Sequence, residues 1–241
     1  MRVHVALTPA ELEGADLHAQ TVVVIDVFRA ATTVATALSN GCRAIIPALT
    51  PDDARARAQE FPRGEVLLAG ERGGEPIEGF DLGNSPLEYT PDRVARRVVI
   101  LTTTNGTRAL LKVSGAASTV VGALVNAKAI AQRARDQRRT LTLACAGELG
   151  EPSLEDTVCA GVIIEAISQG GGPLELSDTA AIARGVARDY RHRLGDLPVE
   201  SGWGRHLLAR GRDKDLAACL ALDAWPIVPV FRNGRVVASE P

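Results

Sequence analysis

VVVIDVFRAATTVATALS, residues 22–39, sets a short aliphatic run directly before a segment of helical period. The run from Val22 to Asp26 has no polar alternation, so it reads as a strand buried on both faces. Ala30 to Ser39 reads as the helix that covers it. The same unit recurs outward from this point: Ala44 to Pro47 before Asp52 to Glu60, and Val98 to Thr102 before Thr107 to Val113. Thr119 to Ala123 precedes Ala127 to Arg138, and Leu141 to Ala146 precedes Glu155 to Ser168. Strands alternating with helices predict an α/β fold, three-layer α/β/α, around a mixed and largely parallel sheet.

Beyond Gly170-Gly171-Gly172 the pattern becomes more helical, over Ser177 to Leu194 and again over Gly204 to Leu222. Ile227 to Phe231, Asn233-Gly234 and Val236-Val237 read as a hairpin with a type I′ turn. One domain over residues 1–241 is expected, with residues 170–173 as the place where two lobes would divide. Helix starts are marked by Thr50 before Pro51, by Asn126 and by Ser153.

Composition narrows the function classes. Hydrophobic residues make up 46% of the 241-residue chain and aromatics only 3%, so the core must be aliphatic. Few aromatics also argue against a reader of single-stranded nucleic acid, which stacks bases on such rings. A net charge of -2 is the wrong sign for a general polyanion binder. No apolar run reaches the roughly 20 residues of a membrane-spanning helix. Cys42, Cys145, Cys159 and Cys219 form no C-x-x-C pair and read as buried thiols in a reducing, cytoplasmic setting.

GERGGEPIEGFDLGNSP, residues 70–86, has neither helical period nor strand alternation. Loops of that length are functional or disordered. In α/β sheets the ligand crevice lies beyond the carboxyl ends of the strands, and the residues there are polar. They are Asp26, Arg29, Thr32 and Thr33; Glu71 and Arg72; Thr102, Thr103, Thr104 and Asn105; and Cys145, Gly147 and Glu148. Each alone has a structural reading: Asp26 as a cap, the threonines as strand residues, Asn105-Gly106 as a turn. Four strand ends of the same character favour a site.

The chemistry implied is an anion with a metal. TTTNGT, residues 102–107, joins strand to helix and offers amides and hydroxyls to an oxyanion. Glu155 and Asp156 fall in a helix's first turn, where carboxylates either serve the dipole or hold a hard cation. Ser153-x-x-Asp156 also fits a variant capping box, so both readings of Asp156 stay open. A D-x-D nucleophile motif would need an acid where Phe28 stands, and a C-x5-R motif would need arginine where Glu151 stands. His4, His18, His192 and His206 are isolated and read as surface or packing residues. Trp203, Trp225, Tyr89 and Tyr190 read equally as packing, subunit contacts or site residues.

IDVFRAATT (25–33), AGERGGEPIEGFDLGNSP (69–86), TTTNGT, CAGELGEPSLEDTVCAG (145–161) and WGRHLLARGRDKDLAACLALD (203–223) together resemble the 2-phosphosulfolactate phosphatase family, often called ComB. The match runs through nearly the whole chain in order. The resemblance implies a Mg²⁺-dependent phosphatase acting on the phosphomonoester of a 2-hydroxy acid that also bears a sulfonate, on the path to coenzyme M. The metal would be held from among Asp26, Glu71, Glu148 and Asp156, and Arg29 and Arg72 would clamp anionic groups. Thr32, Asn84, Ser85, Thr103, Thr104, Asn105, Gly106, Cys145 and Gly147 would complete the substrate seat. The expected partner is a small anionic substrate, not nucleic acid or membrane, and oligomeric state, a homo-oligomer included, stays open. A non-enzymatic binder of a small phosphorylated or sulfonated acid is the alternative from another class. A nucleotide-binding protein is disfavoured, because neither G-x-G-x-x-G nor a Walker lysine is present.

Overall fold

The computed structural model describes residues 1–113 and 115–239. In chain order, β1 (Arg2–Ala6) and β2 (Thr21–Ile25) precede α1 (Ala30–Ser39), β3 (Ala44–Pro47) and α2 (Pro51–Ala58). Then come β4 (Val66–Arg72), β5 (Glu75–Pro76), α3 (Pro91–Val94), β6 (Val98–Thr102) and α4 (Gly106–Lys112). The middle of the chain supplies β7 (Ser118–Gly122), α5 (Ala127–Gln137), β8 (Leu141–Cys145) and α6 (Leu154–Gln169). The remainder is β9 (Glu175–Leu176), α7 (Asp178–Asp189), α8 (Leu197–Glu200), α9 (Gly202–Leu208), α10 (Asp213–Cys219), β10 (Pro229–Arg232) and β11 (Arg235–Ala238).

The fold is three-layer α/β/α. Along β2, Val23 and Ile25 point into one core with Ile130 of α5, Ile163 of α6 and Ala183 of α7. Val22 and Val24 point into the other, with Val34 and Leu38 of α1 and Leu110 of α4. Successive strand side chains alternate faces, and here both faces are dry, which is why the run shows no polar alternation. Each such side chain removed from water contributes roughly 1.5–3 kcal/mol.

The eleven strands of the described residues join one mixed sheet, ordered β5-β4-β6-β3-β11-β10-β7-β2-β8-β1-β9. β4, β6 and β3 pair in parallel, as do β7, β2, β8, β1 and β9. Between the two sets, β3 with β11, β11 with β10 and β10 with β7 pair antiparallel. Three reversals leave the parallel sets running in opposite directions. In a flat sheet their carboxyl ends would lie on opposite edges, but twist accumulates at roughly 20–25° per strand and the sheet coils. Gly106, which follows β6, therefore packs against Asp26, which follows β2.

Local chemistry explains most boundaries. Thr50 caps α2 by accepting from the Asp53 amide, with Pro51 in the first turn. Asn233 and Gly234 both take positive φ, 51° and 73°, in the I′-type turn between β10 and β11. Two other caps differ from expectation: Asn126 Oδ1 accepts from the Ala123 amide, and Ser153 makes no capping bond to α6. The helix expected over Gly204 to Leu222 is broken at Gly211, whose φ of +69° ends α9 before α10 begins.

The stretch 70–86 departs most from its loop reading. β4 continues through Arg72, reverses at Gly73-Gly74 and returns as β5, with Glu71 paired to Pro76. Gly70 is required there: its φ is +145°, and a Cβ would lie 2.0 Å from the Thr102 carbonyl oxygen. The rest is pinned in turn. Asp81 accepts from the Leu68 amide, and the Tyr89 hydroxyl donates to the Gly83 carbonyl at 2.8 Å. Among the described residues no helix is long and apolar enough to cross a membrane.

Candidate active site

A cleft opens where the loops after β2, β4, β6 and β8 meet. Its lining includes Asp26, Glu71, Glu148, Glu155 and Asp156, with Asn84, Thr103, Asn105 and Gly147 between them. Phe28, Trp203 and Arg29 complete the wall, and Arg29 is the single basic side chain among the described lining residues.

The acids are held in different ways. Asp156 reaches out of the first turn of α6 to accept from the Val27 amide at 2.8 Å and the Gly147 amide at 3.2 Å. It thus ties the β2 and β8 loops together, and the capping reading of this residue is set aside. Glu71 accepts from the Thr104 amide at 2.7 Å and the Gly74 amide at 2.8 Å. Asp26 accepts from the Ala30 amide at 3.2 Å and keeps part of its surface open to the cleft. Glu148 is half-buried and accepts from the Asn105 carboxamide at 3.0 Å. Glu155 is buried, and neither its Oε2 nor Asn84 Oδ1 has a hydrogen-bond partner among the described residues.

So many carboxyls in one enclosure disfavour full ionisation. Burial, opposed by the Ala30 amide and reinforced by Glu71 and Glu148, pushes Asp26 up to about 7. Burial also pushes Glu155 up to about 7. Asp156 is raised well above the carboxylate range, by burial first and by Asp26 and Glu155 next. Glu148 is raised by burial against its bond from Asn105.

Several residues expected in the site serve its frame. Arg72 donates to the Glu71 carbonyl, the Leu49 carbonyl and the Thr102 hydroxyl, away from the cleft wall. The Thr32 hydroxyl donates to the Val27 carbonyl at 3.0 Å, and Ser85 donates to Asp215 at 2.6 Å. Cys145 points into the core beside α6, where burial raises its thiol well above the usual range. The 102–107 segment is not an open ring of amides: those of Thr103, Thr104 and Thr107 are engaged by Thr107, Glu71 and Thr103 in that order. Gly106 supplies close approach, since its Cβ position lies 2.6 Å from Asp26 Oδ2.

Phe28 and Asp215 escaped the sequence reading as site members, while Glu155 and Trp203 were open candidates there and do line the cleft. Glu155 adjoins Asp156, and its place in the cleft wall favours the cation reading of a first-turn carboxylate over the dipole one. Trp203 stacks on His206, ring centres 4.3 Å apart, and both adjoin the Gly73-Gly74 turn. Asp215 lies in the polar run GRDKD with no local sign that it is buried.

Among the described residues, no three His, Cys, Asp or Glu side chains gather into a closed metal-binding group. The wall nonetheless offers only hard oxygen donors, an excess of carboxyls, and two buried acceptors without partners. That set fits Mg²⁺, which is held by one or two carboxylates and keeps its remaining positions for water and phosphate.

The 2-phosphosulpholactate phosphatase family model matches residues 6–234. The chain is 42% identical over 236 residues to the probable 2-phosphosulfolactate phosphatase of Symbiobacterium thermophilum, covering 98% of this chain and 100% of that one. It is 38% identical to the similarly named protein of Caldanaerobacter subterraneus subsp. tengcongensis, with 93% of each chain covered. For that of Clostridium acetobutylicum the figures are 33%, with 98% of this chain and 100% of the relative. Because the match extends from the end of β1 to the turn of the last hairpin, and so takes in every loop that builds the cleft, this chain belongs to the 2-phosphosulfolactate phosphatase family of phosphoric monoester hydrolases.

Proposed function

We propose that this protein hydrolyses the phosphomonoester of a 2-hydroxy acid, with 2-phosphosulfolactate as substrate and sulfolactate and phosphate as products, in a Mg²⁺-dependent reaction on a route to coenzyme M. The observation that carries the reading is the acid-lined cleft with unpartnered Glu155 Oε2 and Asn84 Oδ1, in a chain whose relatives bear that substrate in their names. A multiply anionic ester enters such a cleft only with charge compensation.

Hydrogen-bond accounting favours Glu148, Glu155 and Asp26 as the side chains that would hold Mg²⁺, since both oxygens of Asp156 and of Glu71 already accept backbone amides. When bound, the ion supplies neutralisation of phosphoryl oxygen charge and acidifies water. Asn105 fixes the Glu148 carboxylate. The Ala30 amide fixes one Asp26 oxygen and leaves the carboxylate facing the cleft, where it would hold the ion. Arg29 presents the N–H donors not engaged by Asp215 and Gly74 to an oxyanion. Glu71 and Asp156 keep the loops at the spacing this requires, and Phe28 and Trp203 limit access of water. The four unpaired, buried cysteines support a reducing, cytoplasmic setting.

Phosphate release from a panel of 2-phospho-hydroxy acids, sulfonated and not, measured with Mg²⁺ and with EDTA, tests the reading. Mg²⁺-dependent release preferring 2-phosphosulfolactate is expected. Equal release in EDTA would remove the metal, and preference for a non-sulfonated ester would change the substrate.

A further inference from the structure

Asp215 sits on α10, 186 residues from Arg29, and the two side chains are only 7% and 3% exposed. Arg29 Nη1 donates to Asp215 Oδ2 at 2.6 Å, while Ser85 donates to Asp215 Oδ1 at 2.6 Å. Arg29 Nη2 donates to the Gly74 carbonyl at 2.8 Å, and the Gly74 amide donates to Glu71, which also accepts from Thr104. The bonds form one chain, Ser85–Asp215–Arg29–Gly74–Glu71–Thr104, that runs around the cleft and joins five separate segments. Ser85, Asp215, Arg29, Gly74 and Glu71 are buried, and Thr104 is half-buried.

We propose that Asp215 is a positioning residue. It fixes the plane of the Arg29 guanidinium so that the remaining N–H donors face the phosphoryl oxyanion, and so sets anion affinity without touching substrate. The inference rests on the phosphatase reading for the identity of that anion. A guanidinium is a planar fork whose direction is set by the acceptors that hold it. One acceptor alone would leave the plane free to turn, whereas Asp215 and the Gly74 carbonyl together take the two terminal nitrogens. Ser85 in turn fixes Asp215, which explains a serine close to the cleft whose hydroxyl points away from it. A buried arginine also demands a counter-charge, but that need alone would be met by an acid in any orientation. The double engagement specifies one.

The test is Asp215→Asn, which keeps the shape and one acceptor oxygen. Calorimetric binding of inorganic phosphate in the presence of MgCl₂ is expected to weaken about tenfold to a hundredfold, with KM for the ester rising by a similar factor and kcat falling less. In an Arg29→Lys background, where the fork is already lost, Asp215→Asn is expected to add little. A folded Asp215→Asn protein with unchanged phosphate affinity and KM would overturn the proposal, leaving Asp215 a purely structural ion-pair partner. Should Asp215→Asn fail to fold, Ser85→Ala removes a single neutral hydrogen bond; a threefold to tenfold loss of phosphate affinity supports the proposal, and no loss overturns it. The two readings separate cleanly. Asp215-dependent phosphate binding in a protein that hydrolyses no ester sinks the phosphatase assignment and keeps the positioning role. A wild-type protein that binds no phosphate overturns the positioning role itself.

Discussion

Gly106 lies against Asp26 so closely that a methyl group on its Cα would come 2.6 Å from Oδ2 and 3.0 Å from the Ala30 Cβ. The contact joins strand ends from the two opposed halves of the sheet, so the backbone at residue 106 sets where the Asp26 carboxylate stands. Gly106→Ala should lower kcat at least tenfold, with a stability loss of roughly 1–3 kcal/mol from overpacking. Steady-state kinetics beside thermal melting checks it: unchanged kcat would show that Asp26 placement is not critical.

Asp26→Asn separates the catalytic role from the structural one. Asparagine still accepts from the Ala30 amide, so the fold should persist, while loss of the carboxylate should cut activity by about a hundredfold or more. Because Asp26 is raised to about 7 by burial in the folded chain, removing its charge should also raise the melting temperature of the metal-free protein at pH 8. Full turnover in Asp26→Asn would take the residue out of the chemistry.

The raised carboxyls fix the sign of a pH effect. Asp26 and Glu155 titrate near 7 when folded, against ordinary values of 3.8 and 4.5. Between roughly pH 4 and 7 the folded chain binds more protons than the unfolded one, so the stability from these groups is full at low pH and is lost as pH rises through about 7. Without metal, melting should be higher at pH 5.5 than at pH 8, by several degrees at roughly 2–4 °C per kcal/mol for a chain of this length. Mg²⁺ competes with protons for the same oxygens, so the rise it causes should be larger at pH 8. Equal stabilisation at both values would place the ion elsewhere.

Glu71 accepts the backbone amides of Gly74 and Thr104, which have no other partner among the described residues. Glu71→Ala strands both, at about 1–3 kcal/mol for each buried donor. Urea denaturation should therefore show a loss of about 2–5 kcal/mol, and Glu71→Gln, which keeps one acceptor, should lose less. A neutral Glu71→Ala would mean that water replaces the carboxylate.

The strand–helix units were legible because each is a local pattern. β3, β6 and α1 coincide with the boundaries read from aliphatic runs and period. Strand ends rich in Asp, Glu and Thr pointed to the cleft for the same reason, and Asp26, Glu71, Glu148, Asn105 and Gly147 line it. What stayed hidden depends on contacts remote in sequence. Arg72 reads as a clamp for anions, but the fold brings Leu49 and Thr102 beside it, and nothing local to Asp215 shows that α10 lies over Arg29. The β4–β5 hairpin escaped notice because its glycines and proline mask strand alternation, although Gly70 is present for the closeness of Thr102.

The hairpin of β10 and β11 has a consequence for assembly. It forms the joint between the two opposed halves of the sheet, yet it follows all nine other strands in the chain. During synthesis the halves emerge first and expose inner edges, β3 on one side and β7 on the other, that stay unpaired until residues 229–238 arrive. The cleft draws acids from both halves, so a nascent chain would have every catalytic side chain and still no catalytic site. Cleavage after α10 would act in the same way, splitting the sheet down its middle and leaving two strand edges open to aggregation.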